Sequence, residues 1–169
     1  MTRALHSDEL AIDVELVRAL VGRAMPACAD APVHRLASSG STNVLFRLGD
    51  DLLVRLPRQP GGSASISKEA TWLPVLGPLL PVSVPEVVGL FEPDLDFPEC
   101  WSVVRWIDGE HPEVIEGRTS AHPRRENLAK DLAAVLAALS RADVPAEAVN
   151  NPGLSYRGEP IATMDRATR

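Results

Sequence analysis

Apolar positions fall into short blocks of two different periods along this chain. Residues 13–24 place Val14, Leu16, Val17, Leu20 and Val21 on one helical face, closed by Gly22 and Pro26. A short strand is expected at 33–37. Residues 44–48 and 52–56 alternate apolar positions about Gly49-Asp50-Asp51, the pattern of a β-hairpin with a three-residue turn. Gly61-Gly62-Ser63 is a joint before a helix over about 65–73, which Pro74 and Gly77-Pro78 end or kink. Beyond a linker at 81–85, strands are expected at about 86–91 and 100–107, separated by a turn at 92–99 and closed by Asp108-Gly109. Residues 110–122 read as loop. Leu128, Leu132, Val135, Leu136 and Leu139 then form the stripe of an amphipathic helix over about 123–141. From Val144 onward the chain is punctuated by Pro, Gly and Asn and is weakly periodic.

The order is helix, three strands, helix, two strands, helix. Five short strands with one helix between them predict an α+β fold, an antiparallel sheet with that helix on one face.

The hairpin fixes a register. With Gly49-Asp50-Asp51 as the turn, Leu45 faces Arg55 and Arg47 faces Leu53. Side chains alternate across a strand, so Val44, Phe46, Leu48, Leu52, Val54 and Leu56 share the packed face. Leu45, Arg47, Leu53 and Arg55 share the other. An arginine in an apolar strand is costly to bury without an anionic partner. A carboxylate, a phosphate or water would each serve, and a solvated outer face satisfies the same pattern. Glu69, early in the following helix, is a candidate carboxylate. Ser38-Ser39-Gly40-Ser41-Thr42-Asn43, ahead of the hairpin, has few side-chain atoms and is suited to offering backbone N–H groups to phosphate.

Composition narrows the field. A chain of 169 residues, 45% apolar and 24% charged, is ordinary for one globular domain. Its net charge of −6 and its 4% aromatic content disfavour nucleic acid and anionic membranes as partners. No stretch reaches the ~18 apolar residues of a membrane span. Charged residues interrupt the N-terminal segment where a signal peptide needs an apolar core. Cys28 and Cys100 lack CxxC partners, which fits the reducing cytoplasm and two small buried apolar side chains.

The ordered strings carry a family likeness. SSGSTNVLFRLGDDLLVRLPR, KEATWLPVLGPLLPVSVPEVVG, CWSVVRWIDGE and NPGLSYRGEPIATMDRATR together resemble the aminoglycoside phosphotransferase family of the protein-kinase-like superfamily. Arg55-Leu56-Pro57-Arg58 matches the string that often ends its third strand. The resemblance implies a kinase-like N-lobe and hinge over 1–109 and the start of an incomplete C-terminal lobe over 110–169. It implies an ATP-dependent small-molecule phosphotransferase, using ATP or GTP with Mg²⁺ and a small-molecule hydroxyl substrate.

By the same resemblance, Ser39, Gly40, Ser41 and Asn43 belong to the phosphate-covering loop. Leu45 and Leu53 are the roof over adenine. Arg55 is the phosphate-binding basic residue, in place of the usual kinase lysine, and Glu69 is its ion-pair partner. The backbone C=O of Arg105 and N–H of Ile107 are the hinge groups for adenine.

The family's catalytic and metal-binding strings have no match. The histidines are His6, His34, His111 and His122, and no HGDxxxxN-like string occurs. No catalytic or metal-binding residue is assigned. Asp94-Leu95-Asp96 pairs two carboxylates in a proline-bounded segment, which reads as a turn, with a metal site as the alternative. The chain is therefore expected to be a truncated enzyme lacking its catalytic loop; the alternative is a non-catalytic relic or interaction module. In either case the stripe at 128–139 lacks an obvious packing partner. Burial is worth roughly 1.5–3 kcal/mol per Leu or Val, so self-association through this helix is expected.

Overall fold

The structure, a computed structural model, describes residues 7–37, 42–109, 123–149, 151 and 154. Helix α1 spans Val14–Ala24. Asp13 caps it, its Oδ1 accepting from the Leu16 N–H at 2.8 Å. Strand β1 is Val33–Arg35, shorter than expected: Leu36 donates its N–H to the Leu45 carbonyl at 2.9 Å, and the chain then leaves the sheet. Strands β2 (Asn43–Leu48) and β3 (Leu52–Pro57) form the hairpin. Their pairs include Val44 with Leu56, Leu45 with Arg55, Phe46 with Val54 and Arg47 with Leu53, the register read from the turn. Gly49 occupies the left-handed region there (φ 56°), which a side chain disfavours.

Helix α2 spans Ser63–Leu76, strand β4 Val87–Phe91 and strand β5 Trp101–Arg105. The sheet order is β1-β2-β3-β5-β4, antiparallel throughout. Pro74 does not end α2. It forfeits one backbone bond near the C-terminus, and the chain continues to Leu76 before a 3₁₀ turn at Gly77–Leu79.

One sheet face carries the core. Val44, Phe46, Leu48, Val54 and Leu56 pack with Val17, Leu20 and Val21 of α1 and with Phe97, Trp101 and Val103. Leu52, beside the turn, is only half-buried. The end of β3 also anchors the N-terminal segment. Leu10 donates its N–H to the Arg58 carbonyl at 2.8 Å, and the buried Arg58 side chain pairs with Glu9 at 3.4 Å. Cys28 and Cys100 are half-buried free thiols rather than fully buried ones, since both lie in connections flanking the core.

The N-terminus of α2 is capped from a distance. Its N-cap residue, Gly62, makes no side-chain cap bond. A Cβ there would lie 2.3 Å from the Pro57 Cβ, so the close approach of helix and strand requires glycine. Glu99, buried just before β5, supplies the cap. Its carboxylate accepts from the Gly61 N–H at 2.7 Å, the Ser63 N–H at 2.8 Å and the Ser63 hydroxyl at 2.5 Å. Burial pushes its pKa up, but these three bonds outweigh burial and leave it below the ordinary value. Turn chemistry alone gave no hint of this residue.

Helix α3 spans Pro123–Arg141. Leu128, Leu132, Leu136 and Leu139 are exposed along it, Leu136 at 67%, and Val135 is half-buried. Among the described residues the stripe has no apolar partner in the core cluster. No helix among them is long and apolar enough to cross a membrane.

Two outcomes follow from this packing. Gly62→Ala should lower the unfolding free energy by about 1–3 kcal/mol in urea titrations, because the Pro57 ring must move. Gly22→Ala, whose Cβ would meet nothing closer than 4.0 Å inside α1, should instead be neutral or stabilising by up to about 1 kcal/mol. Second, a carboxyl whose pKa falls on folding stabilises fully above its unfolded value, near ~4.3 for Glu. That contribution is lost as pH falls through the lower folded value. Melting curves should therefore show an acid limb that Glu99→Gln flattens; an unchanged limb would place the titration elsewhere.

Candidate functional site

The face of the hairpin opposite the core lines a cleft of about 340 Å³. Leu45 of β2 and Leu53 of β3 form its apolar wall, joined by Val104 of β5 and by Pro85 ahead of β4. Thr42, Asn43 and Arg55 supply the polar end. The alternation of the two strands dictates this division, since Val54 and Leu56 turn to the core and Leu53 and Arg55 to the cleft.

Arg55 is 17% exposed and forms an ion pair through Nη1 with Glu69 on α2, which is 37% exposed. In the amide orientation that satisfies both its ends, Asn43 accepts from Arg55 Nη2 at 3.3 Å and donates to the Thr42 carbonyl at 3.2 Å. A guanidinium carries five N–H donors, more than Glu69 and Asn43 occupy. The site therefore joins an apolar slot to a held cation with donors to spare. An anion with a flat apolar body suits both parts.

Arg47 has a different environment on the same face. Its guanidinium lies over the Trp106 ring, 3.9 Å from the centroid, and donates to the Asp50 carbonyl. Trp106 in turn donates from Nε1 to Asp108 Oδ1 at 2.7 Å. This cation has an aromatic face and a carbonyl as partners.

The remaining expected residues lie as follows. Arg105 ends β5, its N–H donating to the Glu86 carbonyl at 2.8 Å and its Nε to Glu86 Oε2 at 3.1 Å on the exposed surface. Ile107 lies beyond the sheet ladder and is exposed. Neither is among the residues lining the cleft. Ser39, Gly40 and Ser41 lie outside the described residues. Val104 and Pro85 are new to the site. Val104 stands opposite Leu53 because β3 pairs with β5, which the hairpin pattern alone does not specify.

Other acidic positions have structural roles. Asp94 Oδ1 accepts from the Leu95 N–H at 2.7 Å where Leu95 takes φ 53°, and its Oδ2 pairs with Arg23 at 2.9 Å. That is a turn, as the proline-bounded pattern indicates. Asp8, two places after His6, accepts from Gln59 Nε2 at 2.7 Å. Among the described residues no three His, Cys, Asp or Glu side chains converge as a metal site.

The sequence model of the phosphotransferase enzyme family matches residues 33–168. The chain belongs to this family. Solved structures place the phosphotransferase family member among aminoglycoside kinases in fold. The GDP and kanamycin complex of APH(2″)-IIIa superposes with a TM-score of 0.64 at 21% identity, covering 80% of this chain and 44% of that one. ADP-bound APH(2″)-Ib gives 0.58 at 19% identity, over 79% and 42%. The streptomycin–ATP ternary complex of APH(2″)-IIa gives 0.57 at 20%, over 80% and 42%. The chain thus spans less than half the length of these structures. A comparison with curated proteins finds no significant match.

Proposed function

We propose that this chain is the nucleotide-holding part of an ATP- or GTP-dependent small-molecule phosphotransferase. The Arg55–Glu69 pair at the polar end of the Leu45–Leu53 slot is the observation that carries this reading. The purine lies against Leu45, Leu53 and Val104. The phosphates take the Arg55 donors left over from Glu69 and Asn43. Glu69 holds the guanidinium in place, so that little reorganisation accompanies binding. The family resemblance assigns Ser39, Gly40 and Ser41 to the phosphates and the backbone of Arg105 and Ile107 to the base edge, although neither of the last two is among the residues lining the cleft.

The nucleotide complexes of the structural neighbours support the first part of this reading, GDP, ADP and ATP being named in them. The acceptor is a hydroxyl of an aminoglycoside-like molecule, the class to which kanamycin and streptomycin in those complexes belong. The residues that would hold Mg²⁺ are not found among those described, so no step is assigned to it. No HGDxxxxN string occurs in the 169 residues; His6-Ser7-Asp8 has the His-x-Asp spacing, but Asp8 accepts from Gln59 and Asp13 caps α1.

Two measurements test this. Calorimetric titration with ATP and GTP should give saturable binding. Arg55→Ala should weaken it at least about tenfold, and Arg55→Lys should retain part of it, since the charge remains and only the fork is lost. Unchanged affinity in Arg55→Ala would remove Arg55 from the phosphate site. In a coupled ADP-release assay with amino sugars, the chain by itself should show no substrate-dependent turnover. Turnover would mean that a base and metal ligands lie in residues assigned no such role here.

A further inference from the structure

Helix α2 enters the site under two constraints that do not involve the cleft. Gly62 presses against Pro57, two residues beyond Arg55 on the same strand. Glu99 holds the Gly61 and Ser63 amides from 36 or more residues away, at the start of the segment that becomes β5. The bonding is reciprocal, for the Ser63 hydroxyl donates to Glu99 and accepts from the Cys100 N–H at 2.7 Å. Four hydrogen bonds therefore join one helix end to one strand end. Glu69 follows Ser63 by six residues, less than two helical turns. A rotation or slide of the helix end would carry the Glu69 carboxylate off Arg55.

An N-cap side chain of the helix itself would satisfy the same amides without fixing the helix to the sheet. Pro57 leaves no room for one at Gly62. We propose that Glu99 is a positioning residue, a carboxylate latch between β5 and the N-terminus of α2 that sets Glu69 against Arg55. It touches neither the cleft nor the ion pair. This inference deepens the phosphate-site reading, and its geometric core concerns the Arg55–Glu69 pair alone.

A double-mutant cycle on the whole chain decides it, reading unfolding constants in urea for wild type, Glu99→Gln, Glu69→Gln and the double variant. Residues with no shared partner normally act independently. A simple cap would therefore raise the unfolding constant by the same factor in both backgrounds. The latch predicts about tenfold for Glu99→Gln in the wild type and about threefold or less when Glu69 is already Gln. Equal factors overturn the proposal. If Glu99→Gln does not fold, Ser63→Ala takes its place in the cycle, removing only the hydroxyl bonds and leaving the amide bonds to Glu99. Equal factors overturn the proposal there too. In nucleotide titrations, Glu99→Gln should weaken ATP binding in the wild-type background and not in Glu69→Gln. Absence of ATP binding by the wild-type chain would defeat the phosphate-site reading, while the unfolding cycle would still decide the latch.

Discussion

A guanidinium set in the middle of an apolar sheet is the constraint that organises this structure. Arg55 lies between Leu45 on one neighbouring strand and Ser102 on the other, with only 17% of its side chain exposed. Unpaired, such a cation would cost several kcal/mol. Glu69 removes most of that cost, but only if α2 is held where its carboxylate reaches β3. The close approach of Gly62 to Pro57 and the bonds of Glu99 to Gly61 and Ser63 are what hold it. Three elements remote in sequence are thereby tied to one side chain.

The two cleft-face arginines of the hairpin show how position decides chemistry. Arg47 and Arg55 share a sheet face, and pattern alone treats them alike. Arg47 lies near the turn, where the Asp50 carbonyl and the Trp106 ring are within reach. These partners neutralise nothing, and Arg47 Nη1 is buried with no hydrogen-bond partner among the described residues. Arg55 lies at the far end of the strand, where α2 brings a carboxylate. Only the second arrangement holds a cation rigidly beside an apolar slot, and it is the second that can receive an anion without moving.

Much of this was legible before the fold was known, and the reasons are local. The hairpin register follows from a period of two and a three-residue turn, both properties of contiguous residues. That register puts Leu45, Leu53 and Arg55 together and makes Glu69 the obvious carboxylate. Val104 and Pro85 were not legible, because the adjacent Val103 and Val104 break the alternation of β5 and its neighbour in the sheet is set by a crossover. Glu99 was hidden for a further reason. Its partners are two backbone amides and a hydroxyl, groups that leave no mark on composition or periodicity. The length of α2 was misread at both ends: its first turn is completed by Glu99, which lies just before β5, and Pro74 removes a bond the last turn does without.

The fold is shared at about 20% identity with the aminoglycoside kinases, and the present structure shows why so little sequence is needed. The core side of the sheet asks only for apolar residues at alternate positions, under one helix whose stripe comprises Val17, Leu20 and Val21. Many combinations of similar volume meet that demand. The cleft side asks for more specific things: a cation in β3, a carboxylate in α2, and a glycine where the two meet. Because α1 covers the core side and α2 packs against β4 and β5, the face between Leu45 and Val104 is left open among the described residues. The open slot is thus a consequence of where two helices must go, one to bury the apolar face and the other to satisfy Arg55.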